Sequence, residues 1–253
     1  MSVDHTKNII ELHNVSFSYG DTVVLKDINL TVHQGDYLGI IGPNGSGKST
    51  LLKLMVGLLK PAQGEIKLFG EKINSFKDWH KLGFVSQRVI NFDPLFPATA
   101  KEVVAMGRYT HKNFWQHLNK HDYEIIARSL KQVEMENFED RTIGDLSSGQ
   151  QQRVFIARAL AAEPEVIFLD EPTVGIDAAT QEQFYALLKK LNRDLNLTLI
   201  MISHDLDIMA KETTELACVN QNLTYHDNPA SCINGGNLEK LYGGNTNVIF
   251  HKH

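Results

Sequence analysis

The sequence predicts an α/β fold with a parallel core, and three observations carry that prediction. The run YLGIIG, residues 37–42, is a continuous apolar strand that a glycine-rich turn joins to the helical pattern STLLKLMVGLL. An unbroken apolar strand of this kind belongs to a parallel sheet buried on both faces. From residue 146 onward a capped helix, the strand EVIFLDEP, the helix ATQEQFYALLKKLNRDL and the strand LTLIMISH alternate as such a sheet requires. Residues 98–142, by contrast, are helical in pattern, with AKEVVAMGR and DYEIIARSLKQVEM and almost no strand signal, which marks a helical insertion.

The remaining elements follow in order. IIELHNVSFSY alternates only in places, and LKDINLTVHQGDYLGIIG turns at Gln34 and Gly35, so the chain opens on antiparallel strands before it enters the parallel core. GEIKLFG and KLGFVSQ are two further strands, and the proline-punctuated NFDPLFPAT after them is a boundary. The last forty or so residues hold two short strands, LACVNQ and LTYHD, and a short helix near NLEKLYGG. No repeat, low-complexity tract or flexible linker interrupts this order.

Composition excludes several function classes. A formal charge of -5 over 253 residues argues against a broadly basic nucleic-acid surface. No apolar stretch reaches the roughly 20 residues that span a bilayer, and MSVDHTKNIIEL lacks the basic-then-apolar layout of a signal peptide, so a cytosolic protein is expected. Two cysteines, Cys218 and Cys232, suit a reducing compartment with both thiols free.

Three stretches carry chemistry. GPNGSGKST, residues 42–50, matches G-x-x-x-x-G-K-[ST] between a predicted strand and a predicted helix, the context a P-loop requires. Gly42, Gly45 and Gly47, with Pro43, Asn44 and Ser46 between them, let backbone amides turn inward around phosphate oxygens at a helix N-terminus. Lys48 is placed to reach the β- and γ-phosphates, Ser49 to offer its hydroxyl to Mg²⁺, and Thr50 to donate once more to phosphate. VIFLDE, residues 166–171, is an apolar strand with two carboxylates at its C-terminal edge, where open α/β sheets put their ligands. There Asp170 is placed to hold Mg²⁺ through water, and Glu171 to orient or deprotonate an attacking water. LSSGQQQR, residues 146–153, fits an S-x-x-Q capping box in two registers, Ser147 with Gln150 or Ser148 with Gln151. Gln87 and His204 each close an apolar strand, and Gln87 is able to coordinate Mg²⁺ or a water without adding charge.

In chain order Tyr19, GPNGSGKST, Gln87, LSSGQ, VIFLDE, VGID and His204 resemble the A-loop aromatic, Walker A, Q-loop, signature, Walker B, D-loop and H-loop of an ABC transporter nucleotide-binding subunit. The resemblance covers nearly the whole chain. It implies a P-loop NTPase domain with a RecA-like parallel core and N-terminal antiparallel β subdomain at about 1–90 and 163–253, and an inserted helical subdomain at about 91–162. It further implies that Tyr19 stacks on adenine, that Asp177 communicates between sites, and that His204 contacts the γ-phosphate. Ser147, Ser148, Gly149 and Gln150 would contact ATP held by another subunit, so that catalysis needs a head-to-tail homodimer with two composite sites. One departure stands out: Ser148 occupies the place of the first glycine of LSGGQ. A serine forced into positive φ there would cost about 1 kcal/mol; ATPase activity is expected to be retained.

The stretch NFDPLFPATAKEVVAMGRYTHKNFWQHLNKHD resembles the corresponding region of zinc and manganese uptake ATPases, and the segment from SHDLDIMAKE to LYGG and a terminal histidine resembles their tail. This implies an ATP-hydrolysing importer subunit on the cytoplasmic face of a bacterial membrane. Its partners would be a separate permease and, indirectly, a metal-binding substrate-binding protein, with zinc the first expectation and manganese the second. ATPases for iron chelates or cobalamin, and soluble ABC ATPases acting on ribosomes or DNA, are the competing readings. His117 and His121 at i, i+4 spacing, with His251 and His253, suggest a zinc site, but zinc takes three or four ligands and two histidines are more simply a solvated face. Phe114 and Trp115, flanked by Arg108, Lys112 and His117, suggest base stacking, against which the acidic charge weighs.

Overall fold

The computed structural model describes residues 4–86, 97–111, 117–227 and 229. In chain order the elements are β1 (Asp4–Tyr19), β2 (Thr22–Gln34), β3 (Tyr37–Ile41), α1 (Lys48–Met55), β4 (Gln63–Leu68), β5 (Glu71–Lys72), β6 (Leu82–Val85), α2 (Ala100–Ala105), α3 (Lys120–Gln132), α4 (Ser148–Ala161), β7 (Val166–Asp170), α5 (Ala178–Leu195), β8 (Thr198–Ile202), α6 (Leu206–Glu212), β9 (Glu215–Asn220) and β10 (Asn222–Asp227). The chain divides into two compact units, Met1–Lys77 with Thr198–His253, and Asp78–Leu197.

In the first unit β2, β1, β4 and β5 pair in that order as an antiparallel sheet. Its first strand alternates only in places because the ladder shifts register between Leu12 and Val15, where Asn14 takes φ 51. The extra residue moves the buried phase from Ile10 and Leu12 to Val15 and Phe17, so a bulge and not weak strand character breaks the pattern. The same unit holds parallel strands in the order β10-β9-β3-β8, with β10 antiparallel at the edge. Every residue of β3 and of β8 is buried, as expected of strands covered on both faces. Sequence patterning did not mark α6, which Asp205 caps by accepting from the Ile208 amide at 3.1 Å.

In the second unit β6 and β7 pair in parallel from Leu82 opposite Val166 to Val85 opposite Leu169. Around α4 the helices α2 and α3 pack, and the second half of α4 is largely buried, with Val154, Phe155, Ile156, Ala157 and Leu160 inside. Three capping boxes start the helices: Thr99 with Glu102, Asn119 with Asp122, and Ser147 with Gln150. The helical pattern AKEVVAMGR is helical only to Ala105 and continues as a 3-10 turn, Met106–His111. Buried in that turn, Arg108 donates to Asp122 Oδ1 at 3.1 Å, the Ala161 carbonyl at 2.7 Å and Glu163 Oε2 at 3.1 Å. The short helix expected near NLEKLYGG lies outside the described residues. Among the described residues no helix is long and apolar enough to cross a membrane.

Candidate nucleotide site

The first unit contributes the phosphate loop. β3 ends at Ile41, and the chain turns through Gly42, Pro43, Asn44, Gly45, Ser46 and Gly47 into α1. Gly47 is the left-handed N-cap of α1 at φ 101, and a Cβ there would lie 2.7 Å from Leu25 Cδ2. A Cβ on Gly42 would collide with the Val219 carbonyl. Both positions therefore demand glycine, one for conformation and space, the other for close backbone approach. Lys48 is 6% exposed and folds its ammonium back over the loop, donating to the carbonyls of Gly42 at 2.8 Å and Pro43 at 2.9 Å. Ser49 is exposed and Thr50 half-buried in the first helical turn, which contains no acidic residue to offset the positive helix end. Ser46, 2% exposed, has a hydroxyl with no hydrogen-bond partner among the described residues. A cradle of amides, a held ammonium and an orphaned buried hydroxyl suit a polyphosphate with its magnesium ion.

The same unit places two further predicted residues. Ile40 of β3 is opposite Ile202 of β8, and the Ser203 amide donates to the Ile40 carbonyl at 3.3 Å. Exposed His204 thus leaves the strand next to the one that feeds the phosphate loop, at the same sheet edge. Tyr19, 51% exposed, ends β1 with its ring edge-on to Phe17 at 4.9 Å between centroids, which leaves an open aromatic face. Gln221, at φ 58 between β9 and β10, braces the loop: its amide donates to the Ser46 carbonyl at 3.0 Å, and its carbonyl accepts from the Lys26 amide at 2.8 Å. Sequence reasoning missed it, because a backbone brace leaves no signature in side-chain type.

The second unit carries the signature, the two carboxylates and the D-loop. Ser147, at φ -61 and ψ 159, accepts from the Gln150 amide at 3.3 Å, and Gln150 Oε1 accepts from the Ser147 amide at 3.0 Å. Of the two registers, the one starting at Ser147 is thus realised. Gln151 is committed elsewhere, donating to the carbonyls of Ile143 at 3.0 Å and Leu146 at 3.2 Å. Ser148 is the first helical residue and is absent from the non-glycine residues at positive φ, so the serine stands there without backbone strain. Gly149 is buried, and a Cβ on it would meet Thr180 Cγ2 at 2.5 Å. Half-buried Asp170 ends β7, and Glu171 turns the chain at φ 46, a left-handed conformation that costs a non-glycine residue about 1–2 kcal/mol. Gln181 clamps the loop that follows, donating to the carbonyls of Thr173 at 3.2 Å and Ile176 at 2.9 Å. Asp177 caps α5 by accepting from the Thr180 amide at 3.0 Å. Hydrogen bonds from the Thr180 side chain and amide hold the Asp177 carboxyl below its ordinary range.

Other sequence expectations resolve differently. Gln87, Phe114, Trp115, Cys232, His251 and His253 lie outside the described residues. Arg108, a candidate for base stacking, is instead buried in an ion cluster. His117 precedes Asn119, the cap of α3, so the helical register invoked for His117 and His121 does not hold the pair on one face. His121 lies 3.8 Å from Glu124 on the exposed side of α3. Among the described residues no group of three or more His, Cys, Asp or Glu is placed to hold a metal ion.

Residues 25–174 match the family model described as ABC transporter. The zinc uptake system ATP-binding protein ZurA of Listeria monocytogenes is 50% identical over 219 residues, 87% of this chain and 85% of the relative. The manganese transport system ATP-binding protein MntB of Halalkalibacterium halodurans is 37% identical over 238 residues, covering 94% of this chain and 93% of the relative. Among solved structures, a dimeric post-hydrolysis state of the ATP-binding cassette MJ0796 bound to ADP and Pi superposes with a TM-score of 0.72 at 32% identity, covering 87% of this chain and 99% of that one. With the phosphate loop, the capped signature helix and the paired carboxylates at a strand edge all in family order, this chain belongs to the ABC transporter family.

Proposed function

We propose that this chain is the ATP-hydrolysing subunit of an importer for a divalent metal ion, zinc first and manganese second. The identity of 50% to a zinc uptake ATP-binding protein, against 37% to a manganese one over similar spans, carries the choice of metal. The residue roles rest on the family order of the motifs, and the shape of the phosphate loop and of the signature cap supports them. The backbone N–H groups of the 42–47 loop, Pro43 having none, and the Lys48 ammonium bind the phosphates, Thr50 adds a donor, and Tyr19 presents its ring to adenine. Ser49, Asp170 and Gln87 would hold Mg²⁺, which supplies charge neutralisation between the β- and γ-phosphates. Glu171 accepts the proton of the attacking water, and His204 holds the γ-phosphate side of the site. Ser147, Ser148, Gly149 and Gln150 present the N-terminus of α4 to ATP on a second copy of the chain, as an amide-rich helix end suits an anion. Asp177 belongs to the same shared interface. The reading includes a core at about 1–90 and 163–253 with a helical subdomain at about 91–162.

The permease is a separate chain in this reading, which places the subunit on the cytoplasmic face of the membrane, with a substrate-binding protein selecting the metal outside. The helical subdomain, with the segment after Gln87, would receive a short cytoplasmic helix of the permease, and Met106 and Tyr109 stand exposed there after α2. Cysteines placed at residues 92–109 should cross-link to permease loops in the assembled complex, and none doing so would count against that reading. Uptake of radioactive zinc by cells lacking the chain should be restored by the parent gene and not by Glu171→Gln. Restoration of manganese uptake alone would reassign the metal; restoration of neither would end the metal-importer reading.

A further inference from the structure

Within one chain the start of α4 comes against the start of α5 where Gly149 faces Thr180. The space at Gly149 ends at the Thr180 methyl, where an added Cβ would lie 2.5 Å from Cγ2 and 3.9 Å from Cβ, with no other atom beyond its own helix within 4 Å among the described residues. Thr180 is at the same time the residue whose amide Asp177 caps at 3.0 Å. One residue further, Gln181 holds the carbonyls of Thr173 and Ile176, and so fixes the loop that begins at Glu171. The tyrosine hydroxyl of Tyr185, one turn on, lies 2.9 Å from Thr173 Oγ1 and closes the same loop from within. One turn along α4 from Gly149, Gln152 is 3% exposed with neither side-chain amide atom hydrogen-bonded among the described residues.

We infer that Thr180 is a positioning residue that fixes the signature helix to the D-loop and the Glu171 turn of its own chain, and that Gly149 is glycine to admit its methyl group. The inference rests on the ATPase reading above. In that reading the signature serves the nucleotide of the partner copy while Glu171 serves the chain's own. The Gly149–Thr180 contact therefore ties the two composite sites together inside each subunit: a shift of one helix start carries the other with it. A packed contact with no slack transmits such a shift, because the neighbouring atoms cannot absorb it. A different account would have Gly149 small only to leave room for a partner's nucleotide, and the two accounts separate cleanly.

The test is a set of ATPase measurements on the full chain, alone and in its permease complex. Gly149→Ala should lower turnover at least tenfold, although alanine ordinarily favours a helix over glycine. Adding Thr180→Ser removes the methyl and keeps the hydroxyl, and should recover most of the loss. Adding Thr180→Val keeps a methyl at that place and should not. If Gly149→Ala fails to fold, soluble yield and thermal midpoint take the place of turnover, and serine but not valine should restore them. Recovery with neither residue, or full activity of Gly149→Ala alone, would overturn the inference. A parent chain that hydrolyses no ATP, alone or in complex, would instead remove the function on which it rests.

Discussion

Ser148 departs from the family's glycine, yet the departure is mild because the position is helical. The register of the cap settles this: Ser147 and Gln150 bond reciprocally, and Ser148 follows as the first helical residue. Ser148→Gly should therefore change ATP turnover by less than about tenfold, since no backbone strain of the kind that favours glycine is there to relieve. A hundredfold gain would show that the serine side chain itself obstructs the site. At Glu171 the left-handed backbone fixes where the carboxylate emerges from β7. Glu171→Gln keeps that shape and removes the base, so turnover should fall by about 10²–10⁴-fold while equilibrium ATP binding persists. Gly42→Ala acts differently. The colliding atom is a strand carbonyl and not a side chain, so the phosphate loop itself must move, and ATP binding measured by titration should be lost.

At the scale of elements, the helix starts and one buried ion cluster carry the second unit. Arg108 connects the 3-10 turn after α2 to the cap of α3 and the end of α4 through Asp122, the Ala161 carbonyl and Glu163. Arg108→Ala would leave Asp122, also buried, without its cation and should lower unfolding stability by about 3–5 kcal/mol in denaturant titrations. The cap of α5 responds to pH instead. The Asp177 carboxyl is held low by the hydroxyl and amide of Thr180, so its folded pKa lies below its unfolded one. Its stabilisation is complete above the ordinary aspartate pKa of about 4 and is lost as pH falls through the lower folded value. The stability gap between the parent and Asp177→Ala, read from thermal midpoints, should accordingly be constant near neutrality and close only in acid.

For the whole molecule the question is assembly. In the proposed reading the signature serves another copy's nucleotide, so that one chain would not complete a site and a symmetric pair would complete two at once. Glu171→Gln with saturating ATP should sediment as a dimer and the nucleotide-free protein as a monomer; a monomer under both conditions would leave the signature without its expected partner site. The shared ATP would then stabilise the pair by mass action, in proportion to its concentration over the dissociation constant.

Much of this was legible before any coordinates. Continuous apolar runs identified the buried strands at 37–41, 166–170 and 198–202, because a strand covered on both faces has no polar alternation to show. Glycine spacing identified the phosphate loop, because backbone that must reach phosphate tolerates few other residues. The capping-box motif located the start of α4 but left two registers open, since Ser147 and Ser148 are chemically equal; only the fold, by giving Gln151 to the carbonyls of Ile143 and Leu146, chose between them. The bulge at Asn14, the burial of Arg108, the backbone brace at Gln221 and the fit of Gly149 against Thr180 were likewise invisible. Local sequence determines which residues favour a strand, a turn or a cap, because those preferences act within a few residues. Which distant atoms then share a space too small for one more methyl group is decided only when the chain has closed on itself.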